Sequence, residues 1–349
     1  MTSVHDIAVI AGDGIGQEVM PAAIRCLERV AQMDGIPLQF TEYGWGSEHF
    51  RATGRMMPEG GTETLRGHAA TFLGAVGAPD IDDTVTLWGL LIPIRRDLRL
   101  SVNLRPVRTL PGVRSPLADA DDIDFLIVRE NVEGEYSEVG GRVYRGQEGD
   151  AAIQSAVFTA DGVRRVARFA AQQARARGGT VVSATKSNGI IHTMPFWDEI
   201  VGGVMADEKI AVEHVLVDAL AARMVLKPRS LDVVVASNLL GDILSDLGSA
   251  LTGSIGVAPS ANIDPSGANP GLFEPVHGSA PDIAGQGIAN PIGQLWSGAM
   301  MLTHLGHPAS GSRVLTAIER TLSDGIMTAD LGGSATTKEF TDSLIERLD

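Results

Sequence analysis

Cysteine is nearly missing from this chain, aromatic residues are sparse, and no apolar run is long enough to cross a bilayer. The single thiol, Cys26, excludes an intrachain disulfide and any thiolate metal cluster, and it fits a reducing compartment. No segment reaches about 18 uninterrupted apolar residues, and the N-terminus "MTSVHDIAVIAGDG" lacks the basic stretch and long apolar core of a secretion signal. A cytoplasmic, soluble protein is expected. Positive charge is also scarce: 28 Lys and Arg face 43 Asp and Glu, a formal net charge of -15. Such a field repels nucleic-acid phosphates and anionic lipids, so any anionic ligand must meet a local basic cluster. The basic-aromatic interleaving of a nucleic-acid surface is absent as well.

What is present is glycine, 41 residues of it, and a hydrophobic fraction of 44% in a chain of 349 residues. That length predicts two domains, or one large α/β unit with insertions. Short β-branched runs, "DIAVIAG", "FLIVRE", "TVVSATKS" and "LDVVVASN", predict buried parallel strands. Between them "QEVMPAAIRCLERVAQM", "DGVRRVARFAAQQARARGG" and "VEHVLVDALAARMVL" predict helices, the second starting at an Asp161 N-cap and stopping at Gly178-Gly179. The polar, Gly-rich segment from 136 to 150 cannot build its own core and predicts a projecting β-arm that needs a partner surface.

Several clusters carry chemistry. In "SNLLGDILSDLGS", Asp242 and Asp246 stand one helical turn apart, either as solvated surface acids or as a pair bridged by a cation. Leu239, Leu240, Ile243, Leu244 and Leu247 around them predict a largely buried helix, which favours a hard divalent ion, Mg2+ or Mn2+. "IPIRRDLRLSVNLRPVR" concentrates Arg95, Arg96, Arg99, Arg105 and Arg108, either a solvated basic stretch or a clamp for small carboxylates. Arg129 and Lys186 each end an apolar strand, where ligands of α/β sheets sit; the lysine either snorkels to water or serves as a base. Asp218 borders the apolar face of its segment. The Gly/Pro-rich stretch 273 to 298 lets backbone N-H groups approach a pyrophosphate, with His277 inside it. In "AGDGIGQEVM" a dinucleotide fingerprint read from Gly12 and Gly14 would need glycine where Gln17 stands, so the fingerprint fails.

Taken in order and at these spacings, "GDGIG", "NLRPVR", "VRENVEGEYS", "TKSNGI", "SNLLGDILSDLG" and "EPVHGSAPDIAGQGIANP" resemble the β-decarboxylating dehydrogenases, the family of isocitrate and 3-isopropylmalate dehydrogenases, over nearly the whole chain. "LWGLLIPIRR" and "SATKSNGIIHTMPFWDE" are most similar to its tartrate dehydrogenase/D-malate dehydrogenase branch. The resemblance implies an α/β, isopropylmalate dehydrogenase-like two-domain fold with parallel or mixed sheets, not a Rossmann fold. It implies a cofactor-side domain of residues 1–100 plus 256–349, and a dimerisation and metal-site domain of 101–255. It further implies a homodimer interlocked through the arm, with Lys186 and Asp218 supplied across the interface to the neighbour's Asp242 and Asp246.

By the same resemblance Tyr136 and Lys186 are catalytic, Arg95, Arg105 and Arg129 bind substrate, and Asp218, Asp242 and Asp246 bind Mg2+ or Mn2+, with K+ a candidate activator. The dinucleotide falls to Ile15, Asn188, Glu274, His277, Gly278, Ser279, Ala280, Asp282, Ile283 and Asn290. Asp282 in "APDIAG" suits ribose hydroxyls and repels a 2'-phosphate, so NAD is expected rather than NADP. The implied reaction is oxidative decarboxylation of a D-configured 2-hydroxy diacid, D-malate to pyruvate or tartrate oxidation. The apolar "LLIP" before Arg95 offers no donor for a third carboxylate, which disfavours isocitrate and leaves 3-isopropylmalate as the alternative. A non-catalytic regulatory subunit is the rival of a different class. Such a subunit is expected to lose an aspartate, the lysine or the tyrosine, and all are kept.

Overall fold

The computed structural model describes residues 4–118 and 122–349. The chain divides into two α/β units: residues 4–100, 108–118 and 249–349 form the first, and 101–107 with 122–248 form the second. The strands are β1 (His5–Gly12), β2 (Leu38–Glu42), β3 (Ala70–Ala75), β4 (Val102–Arg108), β5 (Asp124–Glu130), β6 (Gly140–Val143), β7 (Ala151–Gln154), β8 (Val181–Thr185), β9 (Val212–Leu216), β10 (Val233–Ala236), β11 (Pro259–Ile263) and β12 (Gly271–Pro275).

In the first unit the strand order is β2-β1-β3-β12-β11. β1 runs parallel to β2 and β3, with Ile10 opposite Leu73, and β12 is parallel to β3 but antiparallel to β11, so the sheet is mixed. Helix Gly16–Asp34 turns Val19, Ala23, Leu27 and Val30 inward at helical spacing and stops at Gly35, whose φ of 67° is easy only for glycine. Ile7, Ile10, Phe72 and Phe273 are fully enclosed, each contributing about 1.5–3 kcal/mol through removal from water.

In the second unit the order is β4-β5-β10-β8-β9. "VVVA" of β10 is buried on both faces, as expected of a central parallel strand. Two local expectations need correction. The helix over Ala160–Arg177 is capped by Thr159, not Asp161: Thr159 has extended backbone and its hydroxyl accepts the Gly162 N-H at 3.0 Å, whereas Asp161 is already in the first turn, 2.9 Å from Arg164. "VEHVLVDALAARMVL" is not one helix, because its first residues pair in parallel with β8 as β9 before the helix Val217–Leu226 begins. The same period of apolar residues serves a short strand and a helix equally well.

The arm is an antiparallel pair, β6 with β7, whose residues are all exposed. Among the described residues, no helix is long and apolar enough to cross a membrane.

Candidate active site

In the second unit β5, β8, β9 and β10 are parallel, so their carboxyl ends share one edge of the sheet. β5 carries Arg129 near its end, Lys186 follows β8, Asp218 follows β9, and β10 leads through Ser237 into helix Asn238–Leu251 with Asp242 and Asp246. Asp242 is the meeting point. Its Oδ1 pairs with Arg129 and lies 3.1 Å from Arg105 Nη1, while its Oδ2 accepts the Tyr136 hydroxyl at 3.1 Å. Asp246 Oδ1 is 3.8 Å from the same Arg105 nitrogen.

Arg105 and Arg129 are only 7% and 2% exposed, and a buried cation must be paired. Arg105 also donates to Ser245 at 2.6 Å and Asn103 at 2.7 Å, and Arg129 donates to Asn238 at 2.7 Å. Gly241 makes room: a Cβ there would stand 2.7 Å from Arg129 Cγ. The Asp246 carboxyl is pushed above the ordinary carboxylate range, first by loss of solvent; Arg105 opposes this, and the like charge of Asp242 reinforces it.

Lys186 and Asp218 form a second cluster. Thr185 of β8 is in register with Leu216 of β9, which sets the residues just beyond side by side, and Lys186 Nζ donates to Asp218 Oδ1 at 2.6 Å. That bond holds the Asp218 carboxyl below its usual range. Asp218 is thus engaged by Lys186 while Asp242 is engaged by Arg105, Arg129 and Tyr136, and no group of three ligating side chains gathers among the described residues. The helix bearing Asp242 is also not buried all round, which corrects the expectation. Leu240 and Leu244 are enclosed, but Leu239 and Ile243, on the adjoining row about 100° around the helix, are 37% and 57% exposed.

Three carboxylates that sequence reasoning passed over hold this framework. Glu133 accepts the N-H and hydroxyl of Thr159, the cap of helix Ala160–Arg177. Glu135 accepts from the Ser237 hydroxyl at 2.7 Å and the Leu239 N-H at 3.1 Å, tying the residue beside Tyr136 to the start of the Asp242 helix. Glu130 is fully buried and accepts the N-H groups of Val132 and Glu133. Burial pushes its carboxyl up to about 7, with the charge of Glu133 adding to the rise and the backbone N-H groups opposing it.

At Glu130 the folded state therefore holds more proton than the unfolded state between about pH 4.5 and 7. The stabilising contribution of the protonated group is present below that window and lost as pH rises through it. Glu130→Gln should remove this group's share, on the order of 3 kcal/mol, of the pH dependence of the unfolding free energy, read by comparing denaturant titrations of both proteins at pH 4.5 to 8.

In the first unit Arg95 lies on helix Ile92–Asp97, directly after a π-helical turn, Leu87–Leu91. Pro93 lacks the N-H that an α-helical bond to Gly89 would use, which favours the wider turn. Leu90 and Ile92 are buried, and Trp88 stacks with Arg96, whose Cζ is 4.9 Å from the ring centre. Arg95 is 7% exposed and donates through Nη2 to Glu274 at 2.8 Å, while its Nε has no partner.

Of the residues expected to meet a dinucleotide, His277 is buried, its Nδ1 3.0 Å from the Gly278 carbonyl and its Nε2 unpartnered; burial lowers its pKa. Ile15 packs beneath the loop with Ala280, Ile283 and Ala284. Ser279 is buried, Gly278 and Asp282 are exposed, and Asn290 donates to Asp330 at 2.9 Å. Asn188 is exposed in the turn after Lys186, in the second unit. The glycines of "GDGIG" serve packing: a Cβ on Gly12 would fall 2.0 Å from the Ala75 carbonyl oxygen, and one on Gly14 would fall 2.0 Å from that of Ser279.

An α/β chain that brings two buried arginines and a tyrosine onto one aspartate, with a lysine-aspartate pair beyond two strands of the same parallel sheet, carries acidic and basic groups suited to a cation and a small anion. Comparison with known proteins narrows this, and the chain belongs to the isocitrate/isopropylmalate dehydrogenase family, whose model matches residues 6–344. It is 52% identical over 346 residues to a probable tartrate dehydrogenase/decarboxylase of Bacillus subtilis, covering 98% of each chain. It is 49% identical over 349 residues to the decarboxylating D-malate dehydrogenase of Escherichia coli, covering 97% of each. Among solved structures it resembles isocitrate dehydrogenase from Methylococcus capsulatus, with a TM-score of 0.90 at 32% identity and 99% of both chains covered.

Proposed function

We propose that this protein is an NAD-dependent, divalent-metal-dependent dehydrogenase of the cytoplasm that converts D-malate to pyruvate and CO2 and also oxidises tartrate. The observation that carries the reading is the convergence of Arg105, Arg129 and Tyr136 on Asp242, with Asp246 one turn away. The relatives named for D-malate and tartrate support the substrate class.

The donor set fits a hard cation, since Asp218, Asp242 and Asp246 offer only oxygen. In one chain Asp218 is engaged apart from the other two, and two copies would complete the set, with Lys186 and Asp218 of one subunit serving Asp242 and Asp246 of the other. The exposed apolar side chains Leu226, Leu239 and Ile243, and the fully exposed β6-β7 arm, suit such a homodimer. The buried, unpartnered Nε2 of His277 fits a polar ligand beside the loop assigned to the dinucleotide. Asp282 suits free ribose hydroxyls.

When bound, the cation supplies polarisation of the substrate hydroxyl and the dinucleotide supplies a hydride acceptor. Arg95, Arg105 and Arg129 hold the carboxylates, the unpartnered Arg95 Nε providing one free donor. Lys186 accepts the hydroxyl proton as C2 is oxidised, giving a β-keto acid. Its ketone accepts the electron pair released when the C-C bond to the departing carboxylate breaks, and Tyr136 returns a proton to the resulting enolate carbon.

Incubation with NAD, Mn2+ and K+ and, separately, D-malate, L-tartrate, meso-tartrate or 3-isopropylmalate tests the proposal, with NADH, CO2 and keto acid quantified. D-malate should yield the three products in equal amounts. Turnover of 3-isopropylmalate alone would transfer the assignment to that substrate, and silence on all four would favour a regulatory subunit.

A further inference from the structure

Glu18 stands in the first turn of helix Gly16–Asp34, and its side chain leaves the helix for the loop after β12. Oε1 accepts the Gly285 N-H, and Oε2 accepts the Gly287 N-H at 2.8 Å. Both glycines have left-handed backbone, with φ of 80° and 69°, and two such residues flanking Gln286 present alternate N-H groups to one carboxylate. The loop has two further supports. Ile15 lies beneath Ala280, Ile283 and Ala284, and Thr337 donates its N-H to the Gly287 carbonyl at 2.9 Å and its hydroxyl to that of Ala289 at 2.6 Å. Asp282 stands beside Ile283, between the Ile15 contact at Ala280 and the Glu18 bonds at Gly285 and Gly287. Without the carboxylate, two glycines free to adopt either sign of φ would leave this span many alternative shapes.

We infer that Glu18 is a positioning residue for dinucleotide binding: its carboxylate latches the 282–287 segment in the shape in which Asp282 meets the adenosine ribose. The inference rests on the proposed assignment of NAD to this loop. It gives the segment after "GDGIG" a part in cofactor affinity that needs no contact with the cofactor. The physical reason is preorganisation. A charge-assisted pair of hydrogen bonds keeps the loop in its competent form, and the apparent dissociation constant is inversely proportional to that competent population.

Glu18→Ala should raise the NADH dissociation constant and the KM for NAD about tenfold, corresponding to a competent fraction of about a tenth. The kcat and the KM for the diacid should stay within about twofold, because the Glu18 carboxylate bonds the backbone of Gly285 and Gly287 and not Arg95. Glu18→Gln, which retains one acceptor but sets an amide N-H against a backbone N-H, should shift the cofactor constants in the same direction. NADH affinity is read by fluorescence titration, and amide exchange at Gly285 and Gly287 should quicken in both variants.

A general structural role would instead lower kcat and move both KM values together, and that result would overturn the inference. Unchanged NADH affinity in Glu18→Gln, with or without a folded Glu18→Ala, would overturn it equally. Asp282→Ala separates the two readings. If it leaves NADH affinity intact, the loop assignment is wrong; if it weakens affinity while the Glu18 variants do not, only the latch is wrong.

Discussion

Mixing two inactive variants, Lys186→Met and Asp242→Asn, should restore activity to about a quarter of the wild-type level after denaturation and joint refolding. Each variant alone lacks an element of every site, and loss of a general base or of the charge facing the substrate costs about 10²–10⁴ in rate. In a shared-site homodimer, random reassembly makes half the dimers mixed, and each mixed dimer has one site with both residues intact, which gives about a quarter of the full activity. The expectation rests on the proposed homodimer, with Lys186 bonding Asp218 in one cluster and Asp242 bonding Arg105, Arg129 and Tyr136 in the other. A site completed within one chain would leave the mixture as inactive as its components.

Asp242→Asn by itself should lower kcat/KM by about 10³ and also lower the melting temperature, a combination expected of few active-site changes. Two arginines buried to 7% and 2% exposure lean on this carboxylate. Losing its charge removes the carboxylate that pairs with both Arg105 and Arg129, while Ser245, Asn103 and Asn238 offer them neutral oxygens and Asp246 stands farther from Arg105. The Tyr136 hydroxyl loses its anionic acceptor at the same time. Steady-state kinetics and thermal unfolding, compared with Asp246→Asn, check this. Asp246 is 3.8 Å from Arg105 and bonds neither Arg129 nor Tyr136, so its variant should lose activity with a smaller fall in melting temperature.

Much of the placement was legible because fully buried parallel strands read as unbroken apolar runs: "FLIVRE", "TVVSATKS" and "LDVVVASN" became β5, β8 and β10, with Arg129 and Lys186 at their ends. The helix boundary at Thr159 was misread because an aspartate is as favourable in a first turn as at a cap. The exposure of Leu239 and Ile243 was hidden because apolar residues awaiting a partner have the same composition as apolar residues facing a core. Glu18, Glu130, Glu133 and Glu135 lie inside the quoted segments "AGDGIGQEVM" and "VRENVEGEYS", but nothing there assigns them a part. Glu18 and Glu130 accept only backbone N-H groups in the bonds described, which every residue type offers, and Glu133 and Glu135 add hydroxyls from Thr159 and Ser237, residues 26 and 102 positions away, so no local spacing announces them.

The most direct test of the account is NADH formation from D-malate by protein stripped of divalent ions with a chelator and then resupplied with Mn2+. The stripped protein should be silent, and the resupplied protein should release one CO2 for each NADH. Equal rates in the two samples, or NADH without CO2, would contradict it.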